Sequence, residues 1–345
     1  MATPSHTFDP RLASRLLTST SSAIFSDYID TVFNHSVVAS IFAGNTLGNF
    51  GQAVMMGQGK ITQSGGNSIE VNMNLGKGQS GQLSGPFGEH GVAPSDTPRN
   101  SRALWKHYWS NATVSKFDLL ANTGGRRLVN LVEKEVKLAM NTLVDDFATD
   151  FYANNGIATK ITDISEVISA GDEIQSLSGL VHPTFNSRGL NGRTGVAPAA
   201  ISFAATGAFA TNGIQDMLTS YNNAREGAVT PNVILSDFAS HEKYENSLVA
   251  LQQYTTRDRG DASFDALAFK NKPYFPDDKC TADTQYTLTV GSEGGVALTT
   301  LEGADFEPDE WKKATNTEAM VQEFMAKMNL TVFNRKLCNK VTGIS

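Results

Sequence analysis

The segment RRLVNLVEKEVKLAMNTLVDDFATDFYA, residues 126–153, carries the longest helical pattern of the chain. Its apolar residues recur three or four positions apart, which is the spacing of one face of an α-helix. A helix of this length spans roughly 40 Å, and Asn154-Asn155-Gly156 behind it is a typical helix end. The apolar face consists of Leu128, Val132, Val136, Ala139, Leu143, Phe147 and Phe151. We therefore expect one long helix to organise the fold.

A glycine-rich stretch precedes this helix, with eleven glycines in residues 51–91. Inside it, apolar and polar residues alternate as in a half-buried strand. The apolar positions are Ile69, Val71, Met73 and Leu75. Ile61 begins a candidate partner strand, with residues 64–67 as the turn. Because a two-stranded ribbon is only marginally stable alone in water, the pattern predicts a projecting hairpin whose apolar face packs on a neighbouring subunit.

The other parts of the chain predict further elements. Residues 1–50 form an arm with a second helix from Tyr28 to about Phe42, and residues 157–304 mix short helices and strands. Within the latter, 231–237 is typical of a buried strand, and 211–225 is helical with Ile214, Leu218 and Tyr221 on one face. A second helix is expected over 239–253, and the alternation in 264–275 places Leu267 and Phe269 inward.

A long strand is predicted near the C-terminus from apolar residues that fall on one face. They are Met320, Phe324, Ala326, Met328, Leu330 and Val332. We expect its partner in the sheet that accompanies the long helix. The region 157–304 is then an α/β insertion between two parts of one domain.

Composition bounds the function. The chain of 345 residues has 28 basic and 35 acidic residues and a net charge of −7, which argues against a dedicated nucleic-acid binder. Charged residues are only 18% of the chain, which suits large buried subunit contacts. Cys280 and Cys338 are too few for a disulfide framework. The sequence shows neither a signal-peptide pattern nor a run of roughly 18 apolar residues, so we expect a non-secreted protein without a membrane partner.

Three patterns resemble nucleotide-binding or metal-binding motifs, but each lacks a feature that its motif requires. Residues 76–81, GKGQSG, match a nucleotide fingerprint, but the residues after them contain Gly85-Pro86 and cannot run as the helix that the motif requires. His241-Glu242 opens like a zinc-protease helix, yet position 245 is glutamate. Asp277-Asp278 near Cys280 is more typical of a solvated turn than of a metal site. We therefore predict no catalytic site, no cofactor and no metal.

The order of segments resembles the major capsid proteins of tailed bacteriophages, which have the Hong Kong 97-type fold. Local similarities lie in residues 117–124 before the long helix, in PNVILSDFASHEKY (231–244), in FDALAFKNKPYFPDD (264–278) and in LTVFNRKLCNKVTGI (330–344). The resemblance implies an α+β fold in four parts. These are an N-terminal arm at 1–50, an extended loop at 51–112, a peripheral domain at 113–156 and 305–345 with a spine helix at 126–153, and an axial domain at 157–304.

The resemblance also implies a function. Such a chain assembles into pentamers and hexamers that form an icosahedral head around double-stranded DNA, which is enclosed without sequence-specific binding. A separate scaffolding protein, a portal and decoration proteins are the implied partners, and the location is the virion after assembly in the host cytoplasm. The residues expected at subunit contacts are Ile69, Val71, Met73, Leu75, Lys77, Arg257 and Arg259.

Within the family, a lysine near the extended loop can join a covalent cross-link, and Lys77 is the candidate at its tip. Two other interpretations stay open. An encapsulin-like compartment would share the fold but hold protein cargo, and an α/β enzyme of unknown type would bind a small ligand in the 157–304 region.

Overall fold

The computed structural model of the protein describes residues 37–43, 59–74, 98–117, 125–153, 157–168, 173–178, 202–250, 267–291, 294–315 and 317–344. The first elements in chain order are α1 (Val37–Ala43), β1 (Lys60–Gln63), β2 (Ile69–Asn74), β3 (Pro98–Ala103), β4 (Lys106–Ser115) and α2 (Gly125–Tyr152). Then follow α3 (Ile164–Val167), β5 (Glu173–Ile174), β6 (Leu177–Ser178), β7 (Ser202–Ala204), α4 (Ile214–Asn223), β8 (Val233–Ser236), α5 (Phe238–Ala250) and β9 (Leu267–Phe269). The last are β10 (Lys272–Pro276), β11 (Thr284–Leu288), β12 (Val296–Leu301), β13 (Glu307–Pro308), β14 (Lys312–Lys313), β15 (Ala319–Val332) and β16 (Asn339–Thr342).

The long strand β15 is the centre of a large six-stranded sheet. On one side it pairs antiparallel with all ten residues of β4. On the other side it pairs with β12, β13 and β14, and β1 joins in parallel next to β12. The predicted returning strand is thus confirmed. Its main partner, β4, leads into the long helix, in agreement with the expectation that the partner lies in the sheet that accompanies this helix. The strand β4 itself was not predicted from the sequence.

Helix α2, which we call the spine helix, packs on the inner face of this sheet against β4. The apolar residues predicted to share one face are buried wherever their side chains are described, namely Val132, Val136, Ala139, Leu143, Phe147 and Phe151. Each such side chain stabilises the fold by roughly 1.5–3 kcal/mol relative to exposure. Helix α1 adds Phe42, whose ring lies 4.9 Å from that of Phe151 between centroids. The prediction of one organising helix is confirmed.

A second six-stranded sheet has the order β7-β16-β11-β8-β10-β9. Its strand β8 is buried at every position, as predicted. Val233 and Leu235 point into the core shared with the spine helix, whereas Ile234 points into a second cluster that includes residues of α4 and α5. Since successive side chains of a strand alternate between faces, this sheet lies between the two cores and is covered on both sides.

The helix predicted over 211–225 is present as α4, preceded by a π-helical turn at Phe209–Gly213. Its inward face differs in part from the prediction, because Ile214 is 38% exposed while Met217 and Tyr221 are buried. Leu267 and Phe269 are buried as predicted. The reversal between β9 and β10 is made by Lys270 and Asn271, both with positive φ, which is the geometry of a two-residue hairpin turn.

The pairing predicted for the glycine-rich hairpin is wrong. Strand β2 pairs antiparallel with β3, thirty residues further on, from Ile69–Ala103 to Asn74–Pro98. Strand β1, which contains Ile61, instead pairs in parallel with β12. The turn at Gly65 and Gly66, both with positive φ, therefore connects two different sheets. A local turn signal identifies a change of direction but not the strand on the other side of it, because that choice depends on distant residues.

The domain bounds given above remain a prediction that the structure does not test, and sheet pairing connects residues on either side of the predicted axial range. Strand β12 lies inside the predicted axial range of 157–304 but pairs with β15 in the large sheet. Conversely, β16 follows β15 in the chain and pairs with β11 and β7 in the second sheet. The two sheets thus exchange strands, which ties the spine-helix part to the inserted part.

Candidate assembly surfaces

The residues predicted to contact a neighbour on strand β2 are already covered within one subunit. Ile69 is 3% exposed and Met73 is 7% exposed, and Val71 packs partly against the main core. The alternation was correctly identified, since the residues between them are exposed. The argument that no part of its own chain buries the apolar face of β2 is wrong. Contact of Ile69, Val71 and Met73 with another subunit therefore stays a prediction, and an exposed apolar face no longer supports it.

The cover comes from a part of the chain that sequence reasoning did not connect with the ribbon. The backbone amide of Arg102 on β3 donates to the carbonyl of Gln175, in the turn between β5 and β6, at 2.8 Å. The Arg102 guanidinium Nε donates to Ser68 Oγ at 2.9 Å, and Trp105 Nε1 donates to the Gly66 carbonyl at 3.0 Å. The base of the β2–β3 ribbon is therefore anchored to its own subunit.

Four of the predicted contact residues lie outside the described residues. They are Leu75, Lys77, Arg257 and Arg259. The segment 75–97 joins the ends of β2 and β3, where Asn74 and Pro98 are paired directly opposite each other. The structure therefore shows where the two strands that flank this segment end, although the segment itself lies outside the described residues.

An open face of the large sheet, which we call the tryptophan face, presents two large apolar side chains. Trp109 on β4 is 68% exposed and Met325 on β15 is 41% exposed, and the two are directly paired in the register. They are flanked by the pairs His107–Lys327 and Asn111–Glu323. Aromatic residues and methionine are enriched where proteins contact one another. This face is therefore a candidate subunit contact.

Tyr108 and Trp109 are adjacent on β4 and lie on opposite faces of the large sheet. Tyr108 faces the spine helix, where its hydroxyl donates to Asp150 Oδ2 at 2.7 Å. The other Asp150 oxygen accepts from Lys160 Nζ at 2.6 Å, and the Ile161 amide donates to the Tyr108 hydroxyl at 3.1 Å. Burial and the neighbouring Asp150 raise the pKa of Tyr108 far above its usual value. Strand alternation alone would have assigned adjacent residues to opposite faces.

Large apolar side chains are also exposed away from the tryptophan face. The most exposed are Phe117 at 76%, Leu138 and Phe238 at 59% each, and Leu104 at 58%. Single exposed apolar residues are normal on a soluble protein. Leu138 is notable because it lies on the spine helix, on the side turned away from the buried stripe.

The turn at 277–280, predicted to be a solvated acidic turn, is in part buried. Asp277 is 3% exposed, while Asp278 beside it lies on the surface. The Tyr152 hydroxyl donates to Asp277 Oδ2 at 3.1 Å. Lys279 forms an ion pair with Asp145 of the spine helix, with 2.7 Å between nitrogen and oxygen. The turn therefore docks on the C-terminal half of the spine helix.

The described residues contain no group of three His, Cys, Asp or Glu side chains that could hold a metal ion. His241 is buried against the ring of Tyr274, with 5.0 Å between ring centroids. Among the helices of the described segments, none is both long and apolar enough to cross a membrane.

By sequence, no protein-family model matches the chain, and no curated protein matches it significantly. By structure, it is similar to the capsid of cyanophage A-1(L), with a TM-score of 0.54 and 15% identity over 82% of this chain and 89% of that one. Mycobacterium phage Adephagia gives a TM-score of 0.54 at 8% identity over 83% and 88% of the two chains. The holo-SrpI encapsulin of Synechococcus elongatus PCC 7942 gives 0.50 at 12% identity over 83% and 85%.

These likenesses span more than four fifths of the chain and of each of the three solved proteins. They agree with the mixed helix-and-sheet architecture, in which one long helix lies against a sheet whose central strand is the long C-terminal strand β15. The protein has the Hong Kong 97-type fold of phage capsids.

Proposed function

We propose that this chain is the major capsid protein of a tailed bacteriophage. The observation that carries the proposal is the fold, because the similar solved structures include a cyanophage capsid, a mycobacteriophage protein and an encapsulin complex. Phage shells reach a TM-score of 0.54, compared with 0.50 for the encapsulin. The role is structural and not catalytic. In this role the chain associates with itself into pentamers and hexamers, which form an icosahedral head around double-stranded DNA.

The surface of the chain supports self-association. A shell subunit needs broad contacts that are poor in charge, and charged residues are 18% of this chain. The tryptophan face supplies an apolar pair on a rigid sheet, with Trp109 more than two thirds exposed. Heterologous contacts between identical subunits form rings when the rotation closes. We include the tryptophan face among the contacts of such rings.

The residues that the sequence analysis predicts at subunit contacts remain part of the proposal. Leu75 and Lys77 lie in the segment that extends from the ribbon, and Arg257 and Arg259 lie between α5 and β9. Both segments lie outside the described residues, and their contact with neighbouring subunits is a proposal. A separate scaffolding protein, a portal and decoration proteins are the proposed partners. Assembly in the host cytoplasm and a final location in the virion follow from the same proposal.

Electron microscopy of the purified protein tests the function. We expect hollow particles on the order of tens of nanometres across, built from rings of five and six subunits. Particles from infected or induced cells should contain DNA. Particles that hold a protein cargo instead would identify an encapsulin-like compartment. A stable monomer or dimer at high protein concentration, under all salt and pH conditions tried, would contradict both.

The tryptophan face has a test of its own. Trp109→Ser should leave the subunit folded, because the side chain is exposed and strand preferences span only about 1 kcal/mol. The yield of particles should fall strongly because the apolar contact is lost. Asn111→Ser, one outward position further along β4, should assemble as the unmodified chain does. Normal particle yields from Trp109→Ser would remove this face from the proposed contacts.

A further inference from the structure

The acidic turn at 277–280 places a buried carboxyl group between the second sheet and the spine helix. Asp277 follows directly after β10, and its backbone amide donates to the Ser236 carbonyl at the end of β8 at 2.9 Å. Its side chain accepts from the Tyr152 hydroxyl and from the Lys279 amide, both at 3.1 Å. Neither of these two donors carries a charge, so neither offsets the cost of burying an ionised carboxylate in full.

A second carboxyl group, that of Asp278, follows the first in the chain and lies on the surface. A neighbouring carboxyl group disfavours ionisation of the buried one. Burial first, and then the Asp278 carboxyl, raise the pKa of Asp277 to about 6, although the Lys279 amide and the Tyr152 hydroxyl act in the opposite direction.

Other titratable groups lie on the elements around Asp277 and its neighbours Tyr152 and Cys280. On the turn itself are Lys279 and Cys280, and on the spine helix are Tyr152 and Asp145, the latter paired with Lys279. The remaining ones are Asp237 after β8, Tyr286 on β11 and Lys340 on β16. Lys340 donates to Ser165 Oγ at 2.5 Å, and it does not bond to the Asp277 side chain, whose bonds are those given above. Burial raises the pKa values of Cys280 and Tyr152 strongly, so both stay neutral near pH 6.

We propose that Asp277 is a proton-binding site that locks the second sheet to the spine helix. When the proton is bound, Asp277 is neutral, and the turn keeps its bonds to the spine helix at a lower cost. When the proton leaves, a carboxylate remains buried with only two uncharged donors, and opening of the turn towards water becomes easier.

The direction of the pH dependence follows from linkage. The pKa of Asp277 is higher in the docked state than the ordinary value of 3.8, so the docked state holds the proton more tightly than the open state. The stabilisation of the docked turn by the proton on Asp277 is fully present below about pH 4 and is lost as the pH rises through about 6. Over that interval the equilibrium constant for opening should rise by at most about a hundredfold, since two pKa units are two powers of ten.

Hydrogen exchange of the full-length chain, followed by mass spectrometry on peptides from 274–284 and 145–153, measures this opening. After correction for the intrinsic exchange rate, protection should decrease as the pH is raised from about 4.5 to about 7.5. Asp277→Asn, which imitates the protonated group, should abolish the dependence. Asp216→Asn changes another buried carboxyl group, which accepts from Thr206, and should retain it.

Two further variants distinguish a titration from a general loss of stability. Asp278→Asn removes the second carboxyl group and should move the midpoint of the dependence to lower pH. Tyr152→Phe removes a donor to the carboxylate and should move it to higher pH. These opposite shifts decide the matter even if Asp277→Asn does not fold. A protection profile in the unmodified chain that does not depend on pH, or shifts in the same direction in both variants, would overturn the proposal. The site belongs to a single subunit, so the outcome is independent of the function proposed above.

Discussion

Within the described segments, Arg335 is the largest of the fully buried side chains, and its positive charge lies in the interior. The guanidinium Nε donates to the Val167 carbonyl at 2.7 Å, and Nη2 donates to the Glu166 carbonyl at 3.3 Å. These carbonyls end helix α3, where the helix itself offers no further donors. Arg335 therefore joins the segment after the spine helix to the C-terminal turn.

Replacing this residue tests its role. Arg335→Met keeps much of the volume but removes the donors, and a buried acceptor left unsatisfied costs about 1–3 kcal/mol. We expect the free energy of unfolding, measured by denaturant titration, to fall by at least about 2 kcal/mol. Arg225→Met, at an exposed arginine, should change it by about 0.5 kcal/mol or less. Equal effects would show that Arg335 is not a specific link.

Gly295 is a second single residue on which the fold depends. Its φ is +116°, and a Cβ atom there would fall on the carbonyl oxygen of Thr289. Gly295→Ala should therefore reduce soluble, folded protein drastically, by more than about 4 kcal/mol of stability if it folds at all. Gly303 has a φ of +76° with open space around it, so Gly303→Ala should cost only about 1–2 kcal/mol of backbone strain. Similar melting temperatures for both variants would contradict this.

At the scale of one element, the spine helix offers two leucines with opposite environments. Leu143 is 1% exposed and Leu138 is 59% exposed. Leu143→Ala should lower the free energy of unfolding by about 2–5 kcal/mol, through lost transfer energy and a cavity. Leu138→Ala should lower it by well under about 1 kcal/mol, because the side chain is already in contact with solvent. Equal destabilisation would mean that the face of the helix has been wrongly assigned.

At the scale of the whole molecule, a deletion that tests the ribbon in assembly should remove only the residues beyond the paired strands β2 and β3. Deletion of residues 64–85 would remove Ile69 and Met73, which are buried in the subunit, so it would disturb the fold. The structure points to residues 75–97 instead, because Asn74 and Pro98 are paired opposite each other. A two-residue Asn-Gly turn suits such a pair.

Replacing residues 75–97 by Asn-Gly should keep the melting temperature of the subunit within a few degrees, because all described strands are retained. If the segment clamps neighbouring subunits, the variant should not form stable shells in electron microscopy. Normal particles would show that the segment is not needed for assembly. Loss of the folded subunit would show instead that the segment belongs to the core.

Local pattern predicted the elements well. The three- and four-residue spacing around Leu143 and the alternation around Met73 were both correct, because helix and strand periodicity depend on residues that are near in sequence. The glycines at 65 and 66 correctly marked a turn. The order of these elements carried the resemblance to the Hong Kong 97-type fold, and that resemblance indicated the fold.

The tertiary structure decided which surfaces meet. The pairing of β2 with β3, the burial of Asp277 against the spine helix and the exposure of Trp109 beside the half-buried Tyr108 all depend on residues far apart in the chain. Periodicity assigns a side chain to a face, but whether that face is covered depends on what the rest of the chain brings to it. The sequence by itself determined the spine helix, the strand of the ribbon, the buried strand β8 and the long returning strand, and their order. Only the fold in three dimensions determined which of their faces are left for a neighbour, because burial is a property of contacts between distant segments.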